Sequence, residues 1–164
     1  MKVAVLTVSD RSARGERQDL SGPAVVDRVR RKGWELVRTG IVSDDQGAIE
    51  GELRKWTEAG IELILTTGGT GFAPRDRAPE ATLAVCERLA PGIPEAMRRA
   101  GKAKTPHAIL SRAVAGIRRS TLIVNLPGSP SGAVESLDAV LPALEHAVRL
   151  LREDSGAEAE LHPG

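Results

Sequence analysis

Three times within the first 89 residues the chain passes through a short apolar run and then a segment of helical periodicity, and this alternation limits the fold more than any other feature. Val3 to Val8 is short, continuous and rich in β-branched residues, as a strand buried on both faces is, and the polar Ser9-Asp10-Arg11-Ser12 ends it. After a polar loop to Leu20, a helix is expected with Ser21 as its cap, Pro23 in its first turn, Val25, Val26 and Val29 facing inward and Gly33 at its end. Trp34 to Val42 forms a second strand. Asp44-Asp45 then start a helix whose Ile49, Leu53 and Trp56 fall at i, i+4 and i+7 before Gly60 stops it. Ile61 to Thr66 forms a third strand, followed by a glycine-rich loop and a helix expected from Pro79 to Leu89. Successive strand-helix units make the strands parallel and cover both sheet faces with helices, so the expected fold class is α/β: a three-layer, doubly wound, mostly parallel sheet.

Farther along, Pro94 to Ala103 is expected as a short helix. Ala113 to Ile117 and Ser120 to Asn125 read as strands around Arg118-Arg119, and a link this short permits only antiparallel pairing, which adds one short antiparallel strand. Leu137, Val140, Leu141, Leu144, Val148 and Leu151 mark the buried face of a last helix. A chain of 164 residues fits one domain, expected over 1–151, with a polar tail at 152–164. Lys and Arg total 23 against 22 Asp and Glu, so no basic field draws nucleic acid or an anionic membrane. The N-terminal apolar run is too short for a signal peptide and no run reaches the ~18 residues of a membrane span, so a cytoplasmic location is expected. Cys86, the single cysteine, sits in an apolar helical pattern and reads as a small core residue, while His107, His146 and His162 lack metal-ligand spacing.

The chemistry concentrates in the loop "LTTGGTGFAPRD", Leu65 to Asp76. It is neither a P-loop nor a dinucleotide fingerprint, but it leaves the carboxyl end of a parallel strand, where open sheets bind ligands. Its glycines let backbone N–H groups turn inward as an anion-binding nest, and Thr66, Thr67 and Thr70 can add hydroxyls, so phosphate or carboxylate is the natural guest. The plainer alternative is a tight turn. Asp44 and Asp76 follow strands that emerge on one edge and can flank one cleft, enough for Mg2+ held by carboxylates and substrate phosphates. Each also has a local explanation: a helix cap for Asp44, a solvated pairing with Arg75 or Arg77 for Asp76. Asn125-Leu126-Pro127-Gly128-Ser129 follows the last strand and can close the same cleft. A β-branched residue at Gly69 is expected to weaken binding without disturbing the core.

These pieces, together with Leu6 to Asp10, Asp19-Leu20-Ser21-Gly22, Val42-Ser43-Asp44, Pro79-Glu80-Ala81-Thr82 and Leu110-Ser111-Arg112, resemble the molybdopterin-binding domain of molybdenum cofactor biosynthesis, which includes molybdopterin adenylyltransferases and a domain of gephyrin. The resemblance implies transfer of AMP from Mg-ATP to the terminal phosphate of molybdopterin, with release of pyrophosphate. It implies Asp44 and Asp76 as catalytic carboxylates that position magnesium, and Thr67, Gly68, Gly69, Thr70 and Gly71 as the phosphate cradle. Ser9, Asp10, Ser111, Pro127, Gly128 and Ser129 are carried over as further binding residues. It also implies a homo-oligomer, a trimer or a hexamer, and a molybdate-insertion protein as the next partner. One departure is Ala78, where the family commonly has Thr. A molybdopterin-binding protein without turnover and a nucleotide hydrolase on the same sheet are the competing functions.

Overall fold

The computed structural model of the protein describes residues 1–153. Six strands, β1 (Lys2–Val8), β2 (Glu35–Val42), β3 (Leu63–Thr67), β4 (Arg88–Leu89), β5 (Ala115–Arg118) and β6 (Thr121–Leu126), form one sheet in the order β2-β1-β3-β6-β5-β4. β1 pairs in parallel with β2 and β3, and β3 in parallel with β6, whereas β5 runs antiparallel to β6 and to β4. The strand side chains alternate between two cores, as a period of two requires. Val3, Val5, Leu63 and Leu65 pack with Val25, Val29, Met97 and Leu137 from α2 (Ser21–Lys32), α5 (Gly92–Lys102) and α6 (Pro130–Leu151). Ala4, Leu6, Val8 and Ile64 pack instead with Ile49, Leu53, Trp56 and Ala81 from α3 (Gln46–Glu58) and α4 (Ala78–Val85). These are the three expected layers. No helix among the described residues is long and apolar enough to cross a membrane.

Four local expectations give way to tertiary structure. The polar loop after β1 begins with a short helix, α1 (Asp10–Ala13), capped by Ser9, whose Oγ accepts from Ser12 N at 3.2 Å. Ser21 lies inside α2 rather than capping it. Asp19 does that work: its Oδ1 accepts from Gly22 N at 3.0 Å and its Oδ2 from the Thr7 hydroxyl at 2.7 Å. The helix expected to reach Leu89 stops at Val85, because Glu87 N donates to Ile117 O (2.8 Å) and Ala90 N to Ala115 O (2.9 Å), and sheet pairing wins over the helical pattern. The β5-β6 turn is centred one residue later than expected, on Arg119-Ser120, with Arg119 at φ 53. Beyond these, Pro106–Leu110 forms a 3-10 turn that no local pattern announced. His162 and the tail after Glu153 lie outside the described residues.

A buried knot fixes the sheet end nearest the loops. Asn125 Nδ2 donates to Thr66 Oγ1 and Thr82 Oγ1, both at 2.9 Å, and its Oδ1 accepts from Val114 N at 3.2 Å. Asn125, Thr66 and Thr82 are all fully buried, so truncation strands several polar groups away from water. Asn125→Ala is expected to cost about 2 kcal/mol or more in a urea titration. A loss within experimental error would show that the knot is dispensable.

Candidate active site

Because β1, β2, β3 and β6 are parallel, the segments that leave them meet at one edge. Backbone geometry explains much of the glycine loop. Gly68 has φ 99, and a Cβ there would lie 2.3 Å from Val8 O, while its N–H already donates to Leu126 O at 3.2 Å. Gly69 has φ 69, again in the left-handed region. Thr67 is fully buried and donates its hydroxyl to Pro127 O at 2.7 Å, and Thr66 is tied to Asn125. These hydroxyls join the β3 and β6 loops instead of facing a ligand. The N–H group of Gly68 is thus engaged, whereas those of Gly69, Thr70 and Gly71 take no part in the loop's own hydrogen bonds. A Cβ on Gly69 would lie 3.2 Å from Val8 Cγ1, 3.3 Å from Ala78 Cβ and 3.4 Å from Asp44 Oδ1. Contrary to expectation, then, the core would feel a larger residue there.

The two expected carboxylates approach this loop at different points. Asp45, not Asp44, caps α3, its Oδ2 accepting from Ala48 N at 2.9 Å. Asp44 is thereby left to face the loop, where its Oδ2 accepts from Asp10 N at 2.8 Å and its own N–H donates to Asp10 Oδ1 at 3.0 Å. Asp10 is gripped by Arg75 through two bonds of 2.9 Å, which hold its carboxyl below the usual aspartate range. This pairing overturns the reading of Asp76 as a partner of Arg75. Asp76 Oδ2 instead accepts from Ala73 N at 2.9 Å and sits 2.8 Å from where a Gly71 Cβ would be. Burial pushes the Asp44 carboxyl upward, the Asp10 N–H opposes this, and the negative charges of Asp10 and Asp76 add to the rise. Oδ1 of Asp44 and Oδ1 of Asp76 accept none of these hydrogen bonds. Among the described residues no group of three or more His, Cys, Asp or Glu could hold a metal ion. Magnesium takes one or two protein carboxylates where substrate phosphates complete its shell.

Thr70 and Gly71 also border a cleft of about 650 Å3, whose lining includes Ser111, Pro127 and Ser129. Ser129 caps α6, accepting from Gly132 N at 3.1 Å, and Ser111 Oγ accepts from Ala113 N at 3.3 Å. Gly128 packs against the loop, where a Cβ would meet Gly68 Cα at 3.3 Å. Ser9, Asp10, Asp44 and Asp76 are absent from the cleft lining, so the expected residues fall into two groups joined at Thr70-Gly71. Met97, Arg98 and Lys104 supply cleft walls that the sequence pattern did not announce. Amphipathic α5 carried the only hint. Ala78 is the first residue of α4 and donates its N–H to Gly69 O at 3.1 Å. The missing Thr hydroxyl is thus not a lost cap, since the cap position is Arg77 and makes no side-chain cap bond.

Residues 4–146 match a family model described as a probable molybdopterin binding domain. The chain is 43% identical over 152 residues to the molybdopterin adenylyltransferase of Helicobacter pylori strain J99, covering 91% of this chain and 86% of that one. It is 42% identical over 159 residues to gephyrin of Dictyostelium discoideum, of which it spans 22%. Among solved structures it is similar to the molybdopterin biosynthesis enzyme MoaB of Thermus thermophilus, with a TM-score of 0.87, 52% identity and coverage of 92% of this chain and 95% of that one. The glycine loop between two carboxylates and a cleft, on this sheet, therefore has its place among known proteins: the chain belongs to the molybdopterin-binding domain family of molybdenum cofactor biosynthesis.

Proposed function

We propose that the protein is a molybdopterin adenylyltransferase, transferring AMP from Mg-ATP to the terminal phosphate of molybdopterin. The observation that carries this is the pair of carboxylates, Asp44 beside Gly69 and Asp76 beside Gly71, on the loop whose Thr70 and Gly71 border the cleft. In this reading the cleft takes the pterin, with Ser111 and Ser129 as polar contacts, and the N–H groups of Gly69, Thr70 and Gly71 receive phosphate oxygens. Asp44 and Asp76 would hold magnesium through the oxygens not engaged in the loops. When bound, the ion neutralises phosphate charge. Arg75, fixed on Asp10, keeps the neighbouring Asp10 carboxylate occupied. Transfer of this kind depends on positioning and charge neutralisation and needs no enzyme nucleophile. Cys86 agrees with that: burial pushes its thiol up to about 11. Residues 1–151 are read as the catalytic domain of a cytoplasmic homotrimer that passes its product to a molybdate-insertion protein. Light scattering at micromolar concentration tests the trimer, and a monomer rejects it.

Pyrophosphate release from ATP, with and without molybdopterin, separates the candidate functions. The transferase requires both substrates; a pure binder releases none, and a hydrolase releases product from nucleotide alone.

The raised pKa of Asp44 acts on stability and on turnover in opposite senses. Its folded value lies above the ordinary 3.8, so the fold disfavours the charged form and this stability cost sets in as pH rises from 3.8 through the folded value. The carboxylate needed for magnesium is lost as pH falls through that same value. The acidic limb of turnover is therefore expected above 3.8, moving down as magnesium is raised. A pH profile at two magnesium concentrations checks this. An acidic limb that ignores magnesium would contradict it.

A further inference from the structure

The segment between the 3-10 turn and β5 carries a side chain to which neither the cradle nor the carboxylates yet assign a role. Arg112 N donates to Thr70 O at 2.9 Å, Nε to Gly71 O at 2.8 Å and Nη2 to Asp76 O at 2.8 Å, and Nη1 is paired with Glu80 in the first turn of α4. We propose that Arg112 is a positioning residue for the transfer, holding the loop from Thr70 to Asp76, and with it the Asp76 carboxylate, in register with the cleft wall at Ser111. The inference rests on the adenylyltransferase reading.

Among the described residues, the hydrogen bonds that tie residues 70–76 to the rest of the protein are those of Arg112 and the Arg75-Asp10 pair. The Arg75 side chain is 64% exposed, and an ion pair so open to water restrains little. Asp76 N to Ala73 O and Ala73 N to Asp76 Oδ2, both 2.9 Å, close a turn within the loop but do not anchor it. Anchoring thus falls on Arg112: its backbone N–H holds Thr70, and its guanidinium, a planar fork, reaches the Gly71 and Asp76 carbonyls and the Glu80 carboxylate at once. A lysine ammonium is a point charge on a flexible stem and cannot reproduce that fan. Glu80 orients the fork, and the Arg112 hydrogen bond keeps its carboxyl below the usual range. On the other side, Ser111 O accepts from Arg98 Nη1 at 3.2 Å and Ala113 O accepts from the same nitrogen at 3.1 Å. Two arginines therefore pin successive parts of one segment, Arg98 toward the cleft and Arg112 toward the loop that bears Asp76. Since Arg112 sits next to a cleft residue and grips the loop that bears Asp76, it sets the distance between them.

The test uses the full chain as wild type, Arg112→Lys and Glu80→Gln. Amide hydrogen exchange of residues 69–77 is read without substrates, then molybdopterin affinity, the magnesium concentration for half-maximal rate, and kcat for pyrophosphate release. Arg112→Lys is expected to speed exchange at Ala73 and Asp76, raise the magnesium requirement and lower kcat by about 10²-fold, the effect of a displacement near 1 Å, while molybdopterin binds nearly as before. Glu80→Gln should move the same quantities in the same direction, with kcat down about tenfold. Wild-type exchange and kcat in Arg112→Lys would overturn the proposal. So would a variant whose molybdopterin affinity and thermal stability fall in step with kcat, since that marks a general structural role. If Arg112→Lys does not fold, Glu80→Gln decides alone, and unchanged exchange and kcat there reject the idea. A wild-type protein that releases no pyrophosphate defeats the adenylyltransferase reading instead, and the exchange data still decide whether Arg112 holds the loop.

Discussion

Asp76→Asn is expected to lower pyrophosphate release by about 10²- to 10³-fold at saturating ATP, while molybdopterin binds almost as well as to the wild type. The substitution keeps the shape of the side chain and an oxygen that can accept from Ala73 N, so the 73–76 turn should survive. What disappears is a negative charge beside Gly71 whose field also acts on the Asp44 carboxyl. If that charge holds magnesium against the phosphates, the loss falls on neutralisation in the transition state and not on the cleft that takes the pterin. Binding and turnover then separate. Were Asp76 only the closure of a surface turn, its replacement would cost at most ~1 kcal/mol of stability and spare the rate. Asp44→Asn completes the comparison. If both carboxylates serve one ion, the double variant should be hardly worse than either single one, whereas independent roles would multiply the defects.

Gly68→Ala is expected to remove about 3 kcal/mol or more of stability, a large share of the ~5–15 kcal/mol typical of a domain. Two faults act together. The backbone at φ 99 is one an L residue rarely adopts, and the new Cβ would lie 2.3 Å from Val8 O, a backbone atom at the end of β1 that cannot rotate away. Gly71→Ala gives the contrast. Its Cβ would meet only the Asp76 carboxylate, at 2.8 Å, so it should leave urea stability nearly intact and lower turnover by displacing Asp76. Equal stability losses in the two variants would show that the loop is a single structural turn and that its last glycine has no separate role.

The same loop and the sheet beneath it show how far the sequence could be read. Three layers were legible because β1 and β3 are continuous apolar runs, and because Ile49, Leu53 and Trp56 share one face of α3. The meeting of Asp44 and Asp76 at one loop followed from parallel strands, whose loops must leave on one edge. Other features depended on groups distant in the chain. β4 is two residues long and pairs only because β5 runs beside it, with Gly116 admitting Cys86 and the Arg88 carbonyl. Ser21 had the better local pattern for a cap, but Thr7, on a neighbouring strand, fixes Asp19 in that office. Thr67 looked like a ligand hydroxyl until Pro127, 60 residues later, supplied its acceptor. Arg112 could not be assigned from local pattern at all, since its partners lie at Thr70, Gly71, Asp76 and Glu80.

The most direct test of adenylyl transfer is to incubate the protein with molybdopterin, ATP and magnesium and to determine the mass of the pterin product. Molybdopterin carrying one added AMP is the expected product, formed together with pyrophosphate and formed about 10²- to 10³-fold more slowly by Asp76→Asn. Unmodified molybdopterin bound to the wild-type protein, with ATP intact, would contradict the transferase assignment.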